Sequence, residues 1–123
     1  MQKPNILIVD DEIDVRERLQ SFITRRIDCG IVTASDGAEA IEKIKNNSFD
    51  LMLLDMKMPG LDGIDVIKNT AVSSPHTKIL VISAYDSKEI ADQAIKAGAR
   101  DYITKPYTAD EIVIKVQDIL SLS

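Results

Sequence analysis

The chain is predicted to fold as an open α/β domain of five βα units around a parallel sheet. Two observations predict it. Short aliphatic runs alternate with amphipathic stretches along the whole sequence. Several of those runs are apolar at successive positions, as strands covered on both faces must be. The runs are Ile6–Val9, Ile31–Ala34, Leu51–Leu54, Ile79–Ile82 and Tyr102–Ile103. The first, third and fourth are the most continuous and read as central strands; the second and fifth are weaker and are expected nearer the edges.

Between the strands the apolar residues recur at helical spacing. Val15, Leu19, Phe22 and Ile23 form the first stripe, Ala38, Ile41 and Ile44 the second, and Ile64, Ile67 and Ala71 the third. Ile90, Ala94 and Ala97 form the fourth, widened by Ala91 and Ile95. Ile112, Val113, Val116, Ile119 and Leu120 form the clearest. Asp36 with Glu39, Asp86 with Glu89 and Thr108 with Glu111 have capping-box spacing. Gly30 and Gly98 read as helix stops. Each strand–helix–strand crossover should be right-handed.

Composition narrows the function. The 123 residues suit one domain spanning 1–123, so a further domain is expected only beyond Ser123. Hydrophobic residues are 45%, enough for a core, and the net charge of −5 argues against direct nucleic-acid binding. Cys29 is the only cysteine, which excludes an internal disulfide and a cysteine-based metal site. It reads as a small, partly buried apolar residue. No apolar run approaches the ~20 residues that span a bilayer, and no signal peptide is apparent. A cytoplasmic domain without membrane contact is expected.

The chemistry gathers where the strands end. Asn5–Asp10 finishes in an acidic pair, Asp10 and Asp11; Leu51–Asp55 finishes in Asp55; Lys78–Ser83 finishes in Ser83; Arg100–Lys105 finishes in Lys105 before Pro106. In an open parallel sheet the carboxyl ends of the strands share one edge, where sites form. Two carboxylates about 4 Å apart repel by roughly 4 kcal/mol at an effective dielectric near 20. Three of them call for a cation or a raised pKa. Oxygen ligands favour Mg²⁺, with Mn²⁺ or Ca²⁺ as alternatives, over Zn²⁺. Mg²⁺ typically keeps waters and accepts phosphate oxygens. With the Lys105 ammonium and the Ser83 hydroxyl opposite, the set suits a phosphoryl group. A carboxylate can itself be the nucleophile, and Asp55, which ends a central strand before the turn Met58-Pro59-Gly60, is the candidate. Taken singly, each residue has a plainer reading: Asp11 or Glu12 as a helix cap, Asp55 as a loop carboxylate, Lys105 as a solvated lysine. Their conjunction at separate strand ends carries the inference.

The segments Ile8-Val9-Asp10-Asp11-Glu12, Leu53-Leu54-Asp55-Met56-Lys57-Met58-Pro59-Gly60-Leu61-Asp62-Gly63, Ser83-Ala84 and Asp101-Tyr102-Ile103-Thr104-Lys105-Pro106-Tyr107 strongly resemble the receiver domain of bacterial two-component response regulators. The resemblance covers essentially the whole chain. It implies a flavodoxin-like (βα)5 doubly wound sheet of strand order 2-1-3-4-5. It implies that Asp55 accepts a phosphoryl group from a sensor histidine kinase or a histidine phosphotransfer domain, so that the chain is a regulatory phosphoacceptor rather than an enzyme. Asp11 and Asp55 would ligate Mg²⁺ with the backbone carbonyl of Lys57, and Asp10 would act through a water; Mn²⁺ would serve as well. Lys105 would pair with Asp55 or its phosphate, Ser83 would bond a phosphoryl oxygen, and Tyr102 would turn inward as Ser83 moves. The Lys105–Pro106 peptide would be cis. The face of the fourth helix, fifth strand and fifth helix would then control an output domain or effector protein, or a phosphorylation-dependent homodimer. With Lys115 as the only basic residue of the fifth helix, the charged dimer of winged-helix regulators is not expected.

Three other readings fit the sequence less well. A flavin site needs a Ser/Thr/Gly-rich phosphate loop after the first strand, where Asp10-Asp11-Glu12 stands. A phosphatase of the haloacid dehalogenase type needs a second Asp two residues after the nucleophile, where Lys57 stands. A degenerate receiver serving only as a binding module would not need Asp10, Asp11, Asp55, Ser83 and Lys105 together. His76 reads as a surface histidine.

Overall fold

The structure is a computed structural model, and it describes residues 3–56, 63–84 and 88–121. Strands β1 (Asn5–Val9), β2 (Gly30–Ala34), β3 (Leu51–Asp55), β4 (Lys78–Ser83) and β5 (Asp101–Thr104) alternate with helices α1 (Ile13–Thr24), α2 (Gly37–Asn46), α3 (Gly63–Ser73), α4 (Lys88–Ala97) and α5 (Ala109–Leu120). All pairings are parallel and the order is β2-β1-β3-β4-β5, the (βα)5 doubly wound arrangement expected. The two weaker runs, β2 and β5, are the edges.

The period of two along each strand divides the core into two layers. Ile6 and Ile8, Leu51 and Leu53, Leu80 and Ile82, and Ile103 pack with Leu19 and Ile23 of α1 and Ile112, Val113, Val116 and Ile119 of α5. Leu7 and Val9, Met52 and Leu54, and Ile79 and Val81 pack with Ala40 and Ile44 of α2, Val66 and Ile67 of α3 and Ala94 of α4. The unbroken apolar runs are therefore strands that owe one residue to each side. The same alternation decides which strand-end side chains meet at the site.

Helix ends follow local chemistry. Thr108 and Glu111 form the full capping box at α5. At α2 the box is one-sided: Asp36 accepts from the Glu39 N–H, but the Glu39 carboxylate accepts from the N–H and hydroxyl of Ser35 instead. Those bonds and Lys43 hold Glu39 far below the usual carboxylate range, at about 2. Gly98 ends α4 with φ +130°, where only glycine is free of strain. Gly30 is a correction: α1 stops at Thr24, and Gly30 opens β2, where a Cβ would stand 2.7 Å from the Asn5 side chain. The α2 stripe is displaced too, with Ala40 buried and Ala38 exposed. In α4, Ala91 and Ala94 are buried while Ile90 and Ile95 lie largely in solvent. The pair Asp86 and Glu89 cannot be assigned a cap, because Asp86 lies outside the described residues. His76 is exposed and bonded to Ser48, and Cys29 is half-buried against the core. Among the described residues no helix is long and apolar enough to cross a membrane.

Candidate functional site: an acidic pocket at the sheet edge

Register brings the acidic residues together. Val9 pairs with Leu54, so Asp10 and Asp55 are neighbours at the carboxyl end of adjacent central strands. Asp55 belongs to the alternation of Leu51 and Leu53, and Asp10 to that of Ile6 and Ile8, so both follow the layer that packs on α1 and α5. Asp10 is 1% exposed and Asp55 4% exposed. Asp11 is exposed. Carboxylate oxygens of Asp10, Asp11 and Asp55 all lie within 4.8 Å of one another.

Hydrogen bonds pin the turn that carries Asp10. Its Oδ1 accepts from the Glu12 N–H at 2.9 Å, an Asx-turn into α1. Its backbone carbonyl accepts from the Arg16 guanidinium at 2.8 Å, and its N–H continues the ladder to the Ala34 carbonyl. Neither Asp11 nor Glu12 caps α1 with a side-chain hydrogen bond, contrary to their plainer reading: Glu12 is the N-cap residue without one. The remaining oxygen, Asp10 Oδ2, is buried without a hydrogen-bond partner. Burial first, and then the adjacent Asp55 carboxyl, raise the Asp10 pKa to about 7 against the lowering effects of the Glu12 N–H and Lys105.

The cation comes from the edge. The ladder continues past β5, the Lys105 N–H donating to the Ser83 carbonyl at 2.8 Å. From there the lysine side chain crosses the end of β4, and its Nζ lies 3.2 Å from Asp55 Oδ2. The next peptide, Lys105–Pro106, is cis, as the resemblance implied.

Ser83 and Tyr102 take the opposite parity. Ser83 continues Ile79 and Val81, and Tyr102 packs half-buried against that same layer. Val81 pairs with Tyr102 and Ser83 with Thr104, which sets serine and tyrosine diagonally on neighbouring strands. Ser83 Oγ is 2% exposed as a residue and has no hydrogen-bond partner. Two orphaned polar atoms, Asp10 Oδ2 and Ser83 Oγ, thus flank Asp55. Buried polar groups are ordinarily paired, so both atoms are exceptions.

The donor set fits a hard divalent cation. Oxygen ligands of octahedral Mg²⁺ stand roughly 3 to 4 Å apart, given metal–oxygen distances near 2.1 Å. The carboxylate oxygens, all within 4.8 Å of one another, are close enough to share one such ion, and the orphaned Asp10 oxygen is of the right kind. Lys57, whose carbonyl was expected to complete the set, and the turn Met58-Pro59-Gly60 lie outside the described residues. So does Tyr85.

Two features were not anticipated. Arg16, from the first turn of α1, donates to the Asp10 carbonyl at the end of β1. Tyr107, half-buried against the α1/α5 layer, lines a cleft of about 330 Å³ together with Glu12, Val15, Arg18, Phe22 and Pro106, and Asp10, Asp55 and Lys105 line it too. Burial, and then Asp10, push the Tyr107 hydroxyl pKa upward. Ser83 does not line that cleft.

Comparison with known proteins agrees with this geometry. The family described as the response regulator receiver domain matches residues 6–117. The chemotaxis protein CheY of Thermotoga maritima is 39% identical over 108 residues, covering 88% of this chain and 90% of that protein. The transcriptional regulatory protein ZraR of Klebsiella oxytoca is 33% identical over 120 residues, covering 98% of this chain. The chain spans only 27% of the length of that relative. A CheY-like response regulator receiver domain protein from Methanospirillum hungatei superposes with a TM-score of 0.91 at 27% identity, covering 98% of this chain and 95% of that one. The chain belongs to the response regulator receiver domain family.

Proposed function

We propose that the chain is a phosphorylation-activated signalling switch in which Asp55 accepts a phosphoryl group from a sensor histidine kinase or a histidine phosphotransfer domain. The observation that carries this reading is the surrounding of Asp55: a buried carboxylate with an ammonium at 3.2 Å, two further carboxylates within 4.8 Å, and an orphaned hydroxyl on the neighbouring strand. Phosphoryl transfer asks a protein mainly for positioning and charge neutralisation, and these residues supply both.

Asp10, Asp11 and Asp55, with the carbonyl of Lys57, would hold Mg²⁺ or Mn²⁺. Such an ion supplies Lewis-acid neutralisation of carboxylate and phosphoryl oxygens. Lys105 would turn from the Asp55 carboxylate to an oxygen of its phosphate, and Ser83 would donate its hydroxyl to another. Phosphorylation adds nearly two negative charges at Asp55. Drawing Ser83 toward them would vacate space on the face that Tyr102 already borders. The α4–β5–α5 face would change with it, in the manner of a two-state element biased by one charge. The partner reading that face would be an output domain, an effector protein or a second copy of the chain. Residues 1–123 would act as one cytoplasmic domain that touches neither nucleic acid nor membrane itself.

Intact-mass spectrometry after incubation with acetyl phosphate and Mg²⁺ tests the reading. One phosphoryl adduct is expected on the parent and none on Asp55→Asn. A parent without an adduct at any Mg²⁺ concentration would leave a protein-binding module as the better account.

A further inference from the structure

Strand β2 is an outer strand of the sheet, and its bonds to β1 fix which of its groups face outward. The Gly30 N–H donates to the Pro4 carbonyl, and the Ala34 carbonyl accepts from the Asp10 N–H. Successive residues of a strand turn their backbone groups to opposite sides. Gly30, Val32 and Ala34 therefore bond toward β1, while Ile31, Thr33 and Ser35 turn their N–H and C=O groups away from it. A row of outward groups is a template for another strand. The segment invites one. Cys29–Ala34 carries no charge and holds three successive β-branched residues, Ile31, Val32 and Thr33, with Val32 39% exposed.

Two side chains of α2 occupy that template. The Lys43 ammonium donates to the Thr33 carbonyl, and the Glu39 carboxylate accepts from the Ser35 N–H at 2.8 Å. A 3.0 Å salt bridge joins the two side chains, which stand one helical turn apart. A residue of an added parallel strand would donate its N–H to one outward carbonyl and accept from the outward N–H two residues on. The Glu39–Lys43 pair fills those same places, with the ammonium standing for a peptide N–H and the carboxylate for its C=O. An exposed ion pair adds little to stability, so the consequence of this one lies in what it keeps off the edge.

We propose that the Glu39–Lys43 pair is an edge guard that keeps a second copy of the chain from adding its own β2 to this one. The strand is matched to itself. Antiparallel pairing centred on Val32 would set Ile31 opposite Thr33 of the second copy, with the two valines in contact and no like charges opposed. The Thr33 carbonyl of each copy is an acceptor in that pairing, and Lys43 already holds it. The guard bears on signalling because β2 and β5 are opposite edges of the sheet. Copies joined at β2 would associate whether or not the α4–β5–α5 face had changed.

Sedimentation equilibrium of the unphosphorylated protein tests the guard without reliance on Asp55. Lys43→Ala removes the ammonium from a helix interior that tolerates alanine, and Lys43→Met keeps the stem but has no donor. Each should tighten self-association about tenfold over the parent, the scale of a freed hydrogen bond in each copy. Hydrogen exchange at the Ile31 and Thr33 amides of these variants should slow as protein concentration rises, because strand pairing protects them. Val32→Lys added to Lys43→Ala sets two ammonium groups face to face and should return association to the parent's level. Association within twofold of the parent in either folded variant overturns the guard. So does tighter association that Val32→Lys leaves in place with the Ile31 and Thr33 amides unprotected.

Discussion

Replacing Asp10 by Asn should stabilise the metal-free protein. The carboxylate is 1% exposed, sits beside Asp55 and leaves one oxygen without a partner, and its pKa rises from 3.8 to about 7. A rise of about three units corresponds to at most about 4 kcal/mol at 1.36 kcal/mol per unit. Solvent at the mouth of the cleft screens part of that, leaving about 2 kcal/mol. The sign follows from linkage. A carboxyl whose pKa is higher folded than unfolded binds its proton more tightly in the native state. The cost is therefore fully present above pH 7 and fades as pH falls toward 4. The Asn side chain keeps an oxygen for the Glu12 N–H and places an amide where the orphaned oxygen was, facing Asp55. At pH 8 in EDTA, thermal unfolding followed by circular dichroism should show Asp10→Asn melting about 6 to 10 °C above the parent. The gap should shrink at pH 5 and close when Mg²⁺ is added, because the ion stabilises the parent more. A variant that melts below the parent at pH 8, or a gap independent of pH, would refute the picture of a charge-crowded pocket.

Other consequences follow from particular contacts. Saturating Mg²⁺ should raise the parent's melting temperature, by about 2.7 kcal/mol of stability at one hundred times its dissociation constant, and the rise should nearly vanish in Asp10→Asn combined with Asp55→Asn, as measured by scanning calorimetry. Thr108→Ala removes the α5 capping box and should cost about 1 kcal/mol in urea unfolding at unchanged m-value. Leu53→Ala opens a cavity at the centre of the α1/α5 layer and should cost about 2 to 5 kcal/mol in the same assay. Lys57 and Tyr85 stand two residues after Asp55 and Ser83, and if their long side chains cover the phosphate, Lys57→Ala and Tyr85→Ala should shorten its lifetime; unchanged decay, followed by mass, would refute that shielding.

The layered sheet and its edge strands were legible because burial on two faces writes itself as unbroken aliphatic runs, and the half-covered β2 and β5 as interrupted ones. The acidic end of β1 and the acid, hydroxyl and lysine at the other strand ends were legible for a related reason. Such residues interrupt apolar runs only where something holds them. What the sequence concealed was local competition for hydrogen bonds. Gly30 has the look of a helix stop, yet the chain leaves α1 at Thr24 and spends the glycine on close approach to Asn5. Glu39 sits at capping-box spacing but is claimed by Ser35. Ala38 and Ala40 are chemically alike, so only packing against the sheet decides that Ala40 is buried. Arg16 and Tyr107 were missed because their roles depend on where α1 and the segment after β5 pass each other. The one available signal for Arg16 was a cation one turn into a helix that follows an acidic strand end.

The alternation of side chains also divides the candidate residues between the two layers of the core. Asp10 and Asp55 follow the layer facing α1 and α5, and Lys105 joins them across the end of β4. Ser83 and Tyr102 follow the layer facing α2, α3 and α4.

The most direct test is to locate the modification itself. After incubation with acetyl phosphate and Mg²⁺, borohydride reduction converts an aspartyl phosphate to homoserine, which peptide mass spectrometry assigns to one residue. Homoserine at position 55 alone, lost when Mg²⁺ is chelated, is the predicted result. Homoserine at position 10 or 11, or none in a protein that carries the phosphoryl mass, would contradict Asp55 as the acceptor.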